Sequence, residues 1–415
     1  MPTVPAAVHR YCVIGLALSL SALGACQMAD AQRGDFVQFD REVLDDNLPG
    51  AYGLAIADLD ADGLPDVLAL SNTPGELRWY AAPDWQATRI GTGTDALIDV
   101  APFDITGNGL QDLVLASEFS LRDPEGGGLV SWLENPGSVP GEQQLRDDDA
   151  HWQRHTIDRM PASHRLRWAD VSGRGHPVLI NLPIIDAEAS APDYAGGVRL
   201  TAYNIPPDPR RRWGSVIVDD NLEMAHGLLV YDWNGDGREQ LLTASYSGVD
   251  LFSFASGGRF VEHRNLLSAT ETQRPTAGIS DLGVGYSNRQ DRRFIATIEP
   301  WHGNSVVVYR PGPDGGEPWQ REVIDEGLNS GHAIVVADLN NDGYDEIIAG
   351  GRGAPYRLNI YRYDPESRSW NAQLLDDSVA VSGLAIADLT GNGYQDIVAA
   401  GMATADVVLY RNNGR

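Results

Sequence analysis

Residues 53–70 read GLAIADLDADGLPDVLAL, an acidic turn between two apolar segments, and this unit decides the fold. The apolar segments have the length and composition of buried β-strands. Gly63, inside the turn, permits the sharp bend that reverses the chain. The unit therefore predicts two antiparallel strands joined by an acidic loop.

The same unit recurs along the chain, and its repetition identifies the architecture. Later copies begin, in chain order, at Ala101, Arg167, Leu228, Gly278, Ala333 and Leu384. The copies at Arg167 and Gly278 are degraded. The turns open at Asp58, Asp104, Asp170, Asp232, Asp281, Asp338 and Asp388. Seven copies of one unit predict an all-β, seven-bladed propeller.

A second element, an alternating strand led by an aromatic residue, lies between the units, as in WQREVID at 319–325. It supplies the outer strand of a four-stranded blade. One such strand, FDREVLDD at 39–46, precedes the first unit, whereas the last unit ends without one. We expect residues near 36–44 to pair with residues near 405–411 and close the ring, which removes open sheet edges. One propeller is expected over residues 35–415.

The N-terminal residues 1–31 are predicted to be a signal peptide. The apolar run Tyr11–Ala25 is too short to span a bilayer comfortably. Two cleavage sites compete: Leu23–Cys26 resembles a lipobox that would leave a lipidated Cys26, and Ala29–Ala31 resembles an ordinary signal-peptidase site. Either predicts an exported protein, which is a bacterial envelope lipoprotein or is periplasmic or secreted. Membrane contact is expected only through the lipid anchor.

The charge balance limits the partners. The formal net charge is −27, with 58 acidic residues against 31 basic ones. Phosphate binding needs a basic surface, so nucleic acid is excluded as a partner. The sequence contains no lysine, which excludes Schiff-base chemistry on a lysine. We expect a monomer.

The acidic turns follow the pattern D-x-[DNT]-x-[DN]-G-x-x-[DEQ], which places several hard oxygen ligands in one short loop, as calcium requires. The candidate ligands in five copies are Asp58, Asp60, Asp62 and Asp66; Asp104, Thr106, Asn108 and Asp112; Asp232, Asn234, Asp236 and Gln240; Asp338, Asn340, Asp342 and Glu346; and Asp388, Thr390, Asn392 and Asp396. We expect up to five structural calcium sites. Arg174 replaces a ligand in the third copy, and the fifth copy keeps no ordered ligand set, so neither is expected to bind calcium.

These turns resemble the FG-GAP/VCBS repeat family over essentially the whole mature chain. The resemblance implies a calcium-bearing propeller, as in the head of α-integrins and in several secreted carbohydrate-active proteins.

Three histidines share one position in the repeat. His164, His226 and His332 each lie six residues before a turn aspartate, where other copies have Tyr52, Ile98 and Ser382. Inner strands line the central channel, so the three imidazoles should converge on its mouth, at the rim opposite the acidic turns. Glu299 and His302 of the EPWHGN segment, and Arg352, are expected at the same rim. The insertions 118–127 and 183–197 are expected to wall a pocket there.

Two interpretations of this histidine rim remain open. In the first, His164, His226, His302, His332, Glu299 and Arg352 form a catalytic site. Imidazoles there would hold a zinc-like ion that polarises a carbonyl, and a free histidine or Glu299 would remove a proton. In the second, an ancestral blade carried histidine at this position, and the imidazoles only form hydrogen bonds between blades.

The rim histidines, the EPWHGN segment and the phrase SWLENPG at 131–137 also resemble the propeller part of aldos-2-ulose dehydratase and, more loosely, propeller-fold polysaccharide lyases. The resemblance implies β-elimination on a sugar or polysaccharide by a lyase or dehydratase. The alternative is a non-catalytic cell-surface module that binds glycan or protein, with Trp301 and rim tyrosines as stacking platforms.

Overall fold

The computed structural model describes residues 37–137, 152–287, 293–312 and 318–414. These residues form seven four-stranded antiparallel sheets, which confirms the predicted seven-bladed propeller. The predicted signal peptide lies outside the described residues and stays a prediction. Among the described residues, no helix has the length and apolar character needed to cross a membrane.

Six blades are each continuous in sequence and run from an inner to an outer strand. Their strands are β2 Ala51–Ala57, β3 Asp66–Ser71, β4 Leu77–Ala81 and β5 Gln86–Ile90; β6 Asp99–Phe103, β7 Asp112–Ser117, β8 Leu129–Glu134 and β9 Gln153–Arg159; β10 Ser163–Ala169, β11 Val178–Pro183, β12 Val198–Asn204 and β13 Gly214–Leu222; β14 Gly227–Tyr231, β15 Gln240–Ser245, β16 Gly248–Phe254 and β17 Phe260–Ser268; β18 Asp281–Tyr286, β19 Arg293–Glu299, β20 Ser305–Arg310 and β21 Gln320–Asp325; and β22 Gly331–Ala337, β23 Glu346–Gly351, β24 Arg357–Asp364 and β25 Ser369–Asp376.

The seventh blade joins both ends of the propeller. Strands β26 Val381–Ala387, β27 Asp396–Gly401 and β28 Asp406–Asn412 are completed by the first strand of the chain, β1 Phe39–Asp45. Strand β1 pairs antiparallel with β28, with Phe39 opposite Asn412 and Val43 opposite Val408. The predicted ring closure is therefore confirmed.

Burial follows the position of a strand in its blade. Second strands such as β3 and β23 are buried along their whole length, because neighbouring sheets cover both of their faces. Their apolar sequences, such as VLAL at 67–70, have the composition that such burial demands. Inner strands such as β2 stay partly accessible along most of their length, on the side of the central channel.

Tyrosines on third strands tie neighbouring blades together at four junctions of the described residues. Each hydroxyl donates to an aspartate on the outer strand of the preceding blade, at 2.6 to 2.9 Å. We call these pairs the interblade latches: Tyr80 with Asp45, Tyr203 with Asp158, Tyr361 with Asp325, and Tyr410 with Asp376. In the fifth blade, the Tyr309 hydroxyl donates instead to Glu299 of its own blade, at 2.7 Å.

Candidate functional site

Seven residues, one from each blade, occupy the same level where the inner strands begin. They are Tyr52, Ile98, His164, His226, Ser280, His332 and Ser382, and all are buried. The level is defined by the backbone: the amides of Ile98, His226 and Ser280 each donate to the second strand of their own blade at 2.9 Å. This ring closes one end of the channel, and the three histidines of the repeat belong to it.

The fifth blade corrects one sequence prediction. Asp281 was predicted to open an acidic turn, but it begins the inner strand β18. With Asp281 as the turn aspartate, the position equivalent to the histidines falls six residues earlier in the sequence. In the structure, Ser280 occupies that position, level with His226. Asp281 instead accepts the Ile334 amide of the inner strand β22 at 3.3 Å, and burial raises the pKa of its carboxyl to about 6 although Arg165 favours the charged form.

The structure brings the four candidate histidines together. The ring centroid of His226 lies 4.8 Å from that of His164 and 5.0 Å from that of His332. His302 comes from the connection between β19 and β20, and its ring lies 4.9 Å from His226 and 5.1 Å from His332. We call these four side chains the histidine cluster.

Backbone carbonyls orient two members of the cluster. The Nδ1 atom of His226 lies 2.9 Å from the carbonyl oxygen of Ser280, and Nδ1 of His332 lies 2.7 Å from that of Ser382. A carbonyl oxygen only accepts, so each Nδ1 carries a proton and donates. The Nε2 lone pairs of both neutral rings are therefore directed into the cluster.

His302 completes a group of three imidazoles. Its Nε2 lies 3.3 Å from Nε2 of His226, and Arg352 donates to its Nδ1 at 3.0 Å. The His302 backbone has a φ of 50°, in the left-handed region that ordinary side chains rarely adopt.

Tyr52 lies between two imidazoles. Its hydroxyl is 3.2 Å from Nε2 of His164 and 3.2 Å from Nε2 of His332. Nε2 of neutral His332 carries no proton, so the hydroxyl donates to His332 and accepts from Nε2 of His164. The sequence shows Tyr52 only as the tyrosine that shares the histidine register, and it gives no sign of this bridging role.

His164 keeps one nitrogen without a partner in the described part of the chain. Its ring is 1% exposed, and its buried Nδ1 has no hydrogen bond. An unsatisfied buried polar atom costs about 1–3 kcal/mol, so a ligand that pairs with Nδ1 would bind with that advantage.

All four imidazoles are held neutral. Burial is the main cause that lowers the pKa of each ring well below its usual value. The charge of Arg165 acts in the same direction on all four rings, and that of Arg352 on His164, His302 and His332. Neutral imidazole is the form that binds metal ions.

The cluster fits a divalent metal ion. The ligand atoms of His226, His302 and His332 lie within 4.8 Å of one another. In a tetrahedral zinc site with Zn–N bonds of about 2.0–2.1 Å, neighbouring nitrogens are about 3.3 Å apart. The His226–His302 separation of 3.3 Å has this value.

Glu299 lies apart from the cluster. Its Oε1 accepts from Thr297 and Tyr309, and its Oε2 accepts from Arg321 at 2.7 Å. The expectation that Glu299 reaches the channel mouth as a base is therefore not supported. Its carboxylate is buried in an ion pair that stabilises the fifth blade.

Both insertions lie beside the cluster, and the pocket predicted between them stays a prediction. Phe119 of the first packs 5.6 Å from His164, ring to ring. Ile184 and Ile185 of the second form an apolar group with Tyr246, against which Phe119 and Trp301 pack. Trp301 also stacks on His302, with ring centroids 4.2 Å apart.

At the opposite rim, the acidic turns share one hydrogen-bond pattern. The aspartate that opens a turn accepts two backbone N–H groups of the loop, as Asp58 does from Asp62 and Gly63. The last residue of the motif is buried and accepts backbone N–H groups, as Asp66 does from Leu59 and Ala82. Asp58, Asp60 and Asp66 offer ligand atoms within 4.8 Å of one another, which fits a cation.

Family comparisons agree with the two resemblances inferred from the sequence. The FG-GAP-like repeat family matches residues 58–115 and 338–399. The family described as aldos-2-ulose dehydratase, beta-propeller domain, matches residues 127–311, a range that contains His164, His226 and His302.

Three curated proteins are similar to parts of the chain. Aldos-2-ulose dehydratase of Phanerodontia chrysosporium is 30% identical over 275 residues, which cover 60% of this chain and 29% of the dehydratase. Rhamnogalacturonan exolyase YesX of Bacillus subtilis strain 168 is 24% identical, covering 44% of this chain and 37% of the exolyase. Mouse integrin alpha-IIb is 25% identical, covering 37% of this chain and 17% of the integrin. The matched segments span less than two fifths of each relative.

Solved structures support the fold alone. A chain of the crystal structure of BBS1N in complex with ARL6DN, soaked with mercury, superposes with a TM-score of 0.52 at 11% identity. The match covers 88% of this chain and 94% of that one.

Proposed function

We propose that this chain is an exported, calcium-stabilised propeller that carries out β-elimination on a sugar, as a lyase or dehydratase, at a metal ion held by its histidine cluster. The observation that carries the proposal is the convergence of three neutral imidazole Nε2 atoms, two of them oriented by backbone carbonyls. The chain is similar to an aldos-2-ulose dehydratase and to a rhamnogalacturonan exolyase, and both names refer to carbohydrates. This similarity supports a sugar as the substrate.

His226, His302 and His332 would hold the ion. When bound, a divalent ion supplies a Lewis acid that polarises a carbonyl or carboxylate oxygen and so acidifies the neighbouring C–H bond. Burial keeps water from these rings, which strengthens every electrostatic contact at the site.

His164 is left for proton transfer. A neutral His164 ring carries one proton, so Nδ1 is a base while Nε2 donates to the Tyr52 oxygen, and Nδ1 is an acid while Nε2 accepts from the Tyr52 hydroxyl. In the elimination, His164 takes the proton from carbon, the electron pair forms the double bond, and the C–O bond breaks. The same proton then passes to the leaving oxygen, so His164 returns to its starting state.

The calcium part of the proposal rests on the opposite rim. Three carboxylates converge in the first turn, and the same backbone cage recurs at Asp104, Asp232, Asp338 and Asp388. Calcium there would stabilise the fold and take no part in catalysis.

The proposal is tested by elemental analysis after extensive dialysis, on the wild type, His226→Ala and a control, His176→Ala. His176 lies on the exposed surface of the third acidic turn. We expect the wild type and the control to retain calcium and one transition metal per chain. His226→Ala should retain calcium, lose the transition metal, and form unsaturated sugar product at least about 100-fold more slowly.

All three proteins could contain calcium alone, with product formation unchanged in His226→Ala. That result would indicate that the histidines have only a structural role. The second candidate function, a binding module for glycan or protein, would then be favoured. A cleft of about 500 Å³ between the first two blades, with Arg89, Trp152 and Arg154 in its wall, is the surface that such a module offers.

A further inference from the structure

Arg352 stands directly against the histidine cluster. It follows β23, and its backbone amide donates to the carbonyl oxygen of Ser330 at 3.1 Å, which fixes its position. Its half-buried guanidinium donates to Nδ1 of His302 at 3.0 Å. That contact leaves most of its five N–H donors available.

Unlike several other arginines, Arg352 has no carboxylate partner among the residues that the structure describes. Arg321 pairs with Glu299, and Arg167 pairs with Asp99 at 2.9 Å. Within residues 37–137, 152–287, 293–312 and 318–414, no carboxylate forms an ion pair with Arg352. A desolvated positive charge without a partner is costly, so it is the kind of group that a ligand anion stabilises.

The neighbouring arginine provides a contrast. Arg165 also lies beside the histidines, but the Tyr52 hydroxyl and the carboxylates of Asp99 and Asp281 favour its charged form. Carboxylates of the described residues therefore act on Arg165, whereas none of them forms an ion pair with Arg352.

We propose that Arg352 binds the carboxylate of an acidic sugar, so that the site takes uronate-containing saccharides in preference to neutral ones. The inference rests on the proposed function, because it concerns the same site. Guanidinium matches a carboxylate in geometry and can bind it through two parallel hydrogen bonds.

A second donor belongs to a residue that contacts the same imidazole. Trp301 stacks on the His302 ring that accepts from Arg352, and the buried indole N–H of Trp301 has no acceptor among the described residues. A sugar offers C–H groups that pack on an indole ring and many oxygen atoms that accept hydrogen bonds. The Trp301 ring, its N–H and the remaining N–H groups of Arg352 therefore suit a sugar ligand.

The tautomer of His302 links the carboxylate to the metal. Nδ1 of His302 accepts from Arg352 only while it carries no proton. When His302 binds a metal through Nε2, the proton of the neutral ring sits on Nδ1, which can no longer accept. The guanidinium is then free to turn to a ligand.

The test is calorimetric binding of tri-galacturonate and of its carboxyl-reduced, neutral counterpart to the intact chain as purified. We expect the acidic trisaccharide to bind about 10- to 100-fold more tightly, the range expected for a hydrogen-bonded charge. Arg352→Gln should remove this preference. The control is Arg159→Gln, because Arg159 is exposed and pairs with Glu118 of the first insertion.

Equal affinity for the two sugars, no measurable affinity for the acidic one, or an unchanged preference in Arg352→Gln would overturn the inference. The proposed function fails differently, since selective binding without unsaturated product would contradict the elimination and leave the role of Arg352 intact. Turnover of a neutral keto-sugar, without tighter binding of the acidic one, would support the elimination and contradict the role of Arg352.

Discussion

The acidic-turn rim and the histidine rim lie at opposite ends of the same inner strands, yet they are built differently. Each acidic turn is a local structure: an aspartate such as Asp58 accepts N–H groups four and five residues ahead in its own loop. The histidine cluster needs residues from four blades, and Tyr52 alone bridges residues 112 and 280 positions away in sequence. The first rim can therefore be copied blade by blade, whereas the second exists only once the ring is closed.

This difference implies that the two rims can be disrupted separately. Asp396→Ala should have the largest effect on stability, because Asp396 accepts the buried amides of Leu389 and Asn412 and the partly buried amide of Thr390. We expect the free energy of unfolding, measured in urea, to fall by about 3–5 kcal/mol, since each unsatisfied donor costs about 1–3 kcal/mol.

The control for Asp396→Ala is Gln395→Ala, at the adjacent half-buried position, which should change the unfolding free energy by less than about 1 kcal/mol. The folded Asp396→Ala protein should keep its transition metal. Loss of that metal in proportion to the lost stability would show that the two rims are not independent.

The interblade latches belong to the repeated part of the fold and should respond to acid. Burial alone would raise the pKa of Asp376, but hydrogen bonds from Ser378, Tyr410 and Arg41 outweigh it and lower the pKa to about 2. A lowered pKa stabilises the folded state above the ordinary aspartate value of about 3.9, and this contribution is lost as the pH falls towards about 2.

Asp376→Asn should therefore lower the free energy of unfolding by about 2 kcal/mol near neutral pH, and its difference from the wild type should close between about pH 4 and pH 2. Denaturant titrations across this range measure it. Asp40→Asn, an exposed aspartate on β1, is the control and should match the wild type throughout. A constant difference at every pH would contradict the latch assignment.

Tyr52→Phe should have the smallest effect, and on the histidine rim alone. The Tyr52 hydroxyl competes with a metal ion for the Nε2 lone pair of His332. Its removal should tighten transition-metal binding by about 2- to 10-fold, the worth of one net hydrogen bond, in competition with a chelator.

Tyr80→Phe removes the hydroxyl of a latch and serves as the control for Tyr52→Phe, since it should leave metal affinity unchanged. Weaker metal binding in Tyr52→Phe would contradict the competition and make Tyr52 a supporting group.

The same contrast explains what could be predicted from the sequence. Blade number, ring closure and the order of strands follow from local patterns that recur, so they were readable. The register of His164, His226 and His332 was readable too, because these residues still occupy repeat positions. Their convergence required only that inner strands meet at a central channel.

Residues outside the repeat pattern were harder to assign. Asp281 was misplaced because an aspartate beside apolar residues resembles a turn wherever it lies. Glu299 was taken for a site residue because the sequence does not show that Tyr309 and Arg321 engage its carboxylate. The bridging role of Tyr52 depends on its distances to two residues of other blades, and the spacing of residues in the sequence does not show these distances.

The pairing of β1 with β28 also sets the order in which the molecule can be assembled. Six blades can form as soon as their own residues are available, but the seventh must wait for strands from both ends of the propeller. Joining such distant segments carries a large loop-closure entropy and is slow compared with forming a hairpin. A circular permutant that carried β1 after β28 would make every blade contiguous, and it would turn this last, long-range step into a local one.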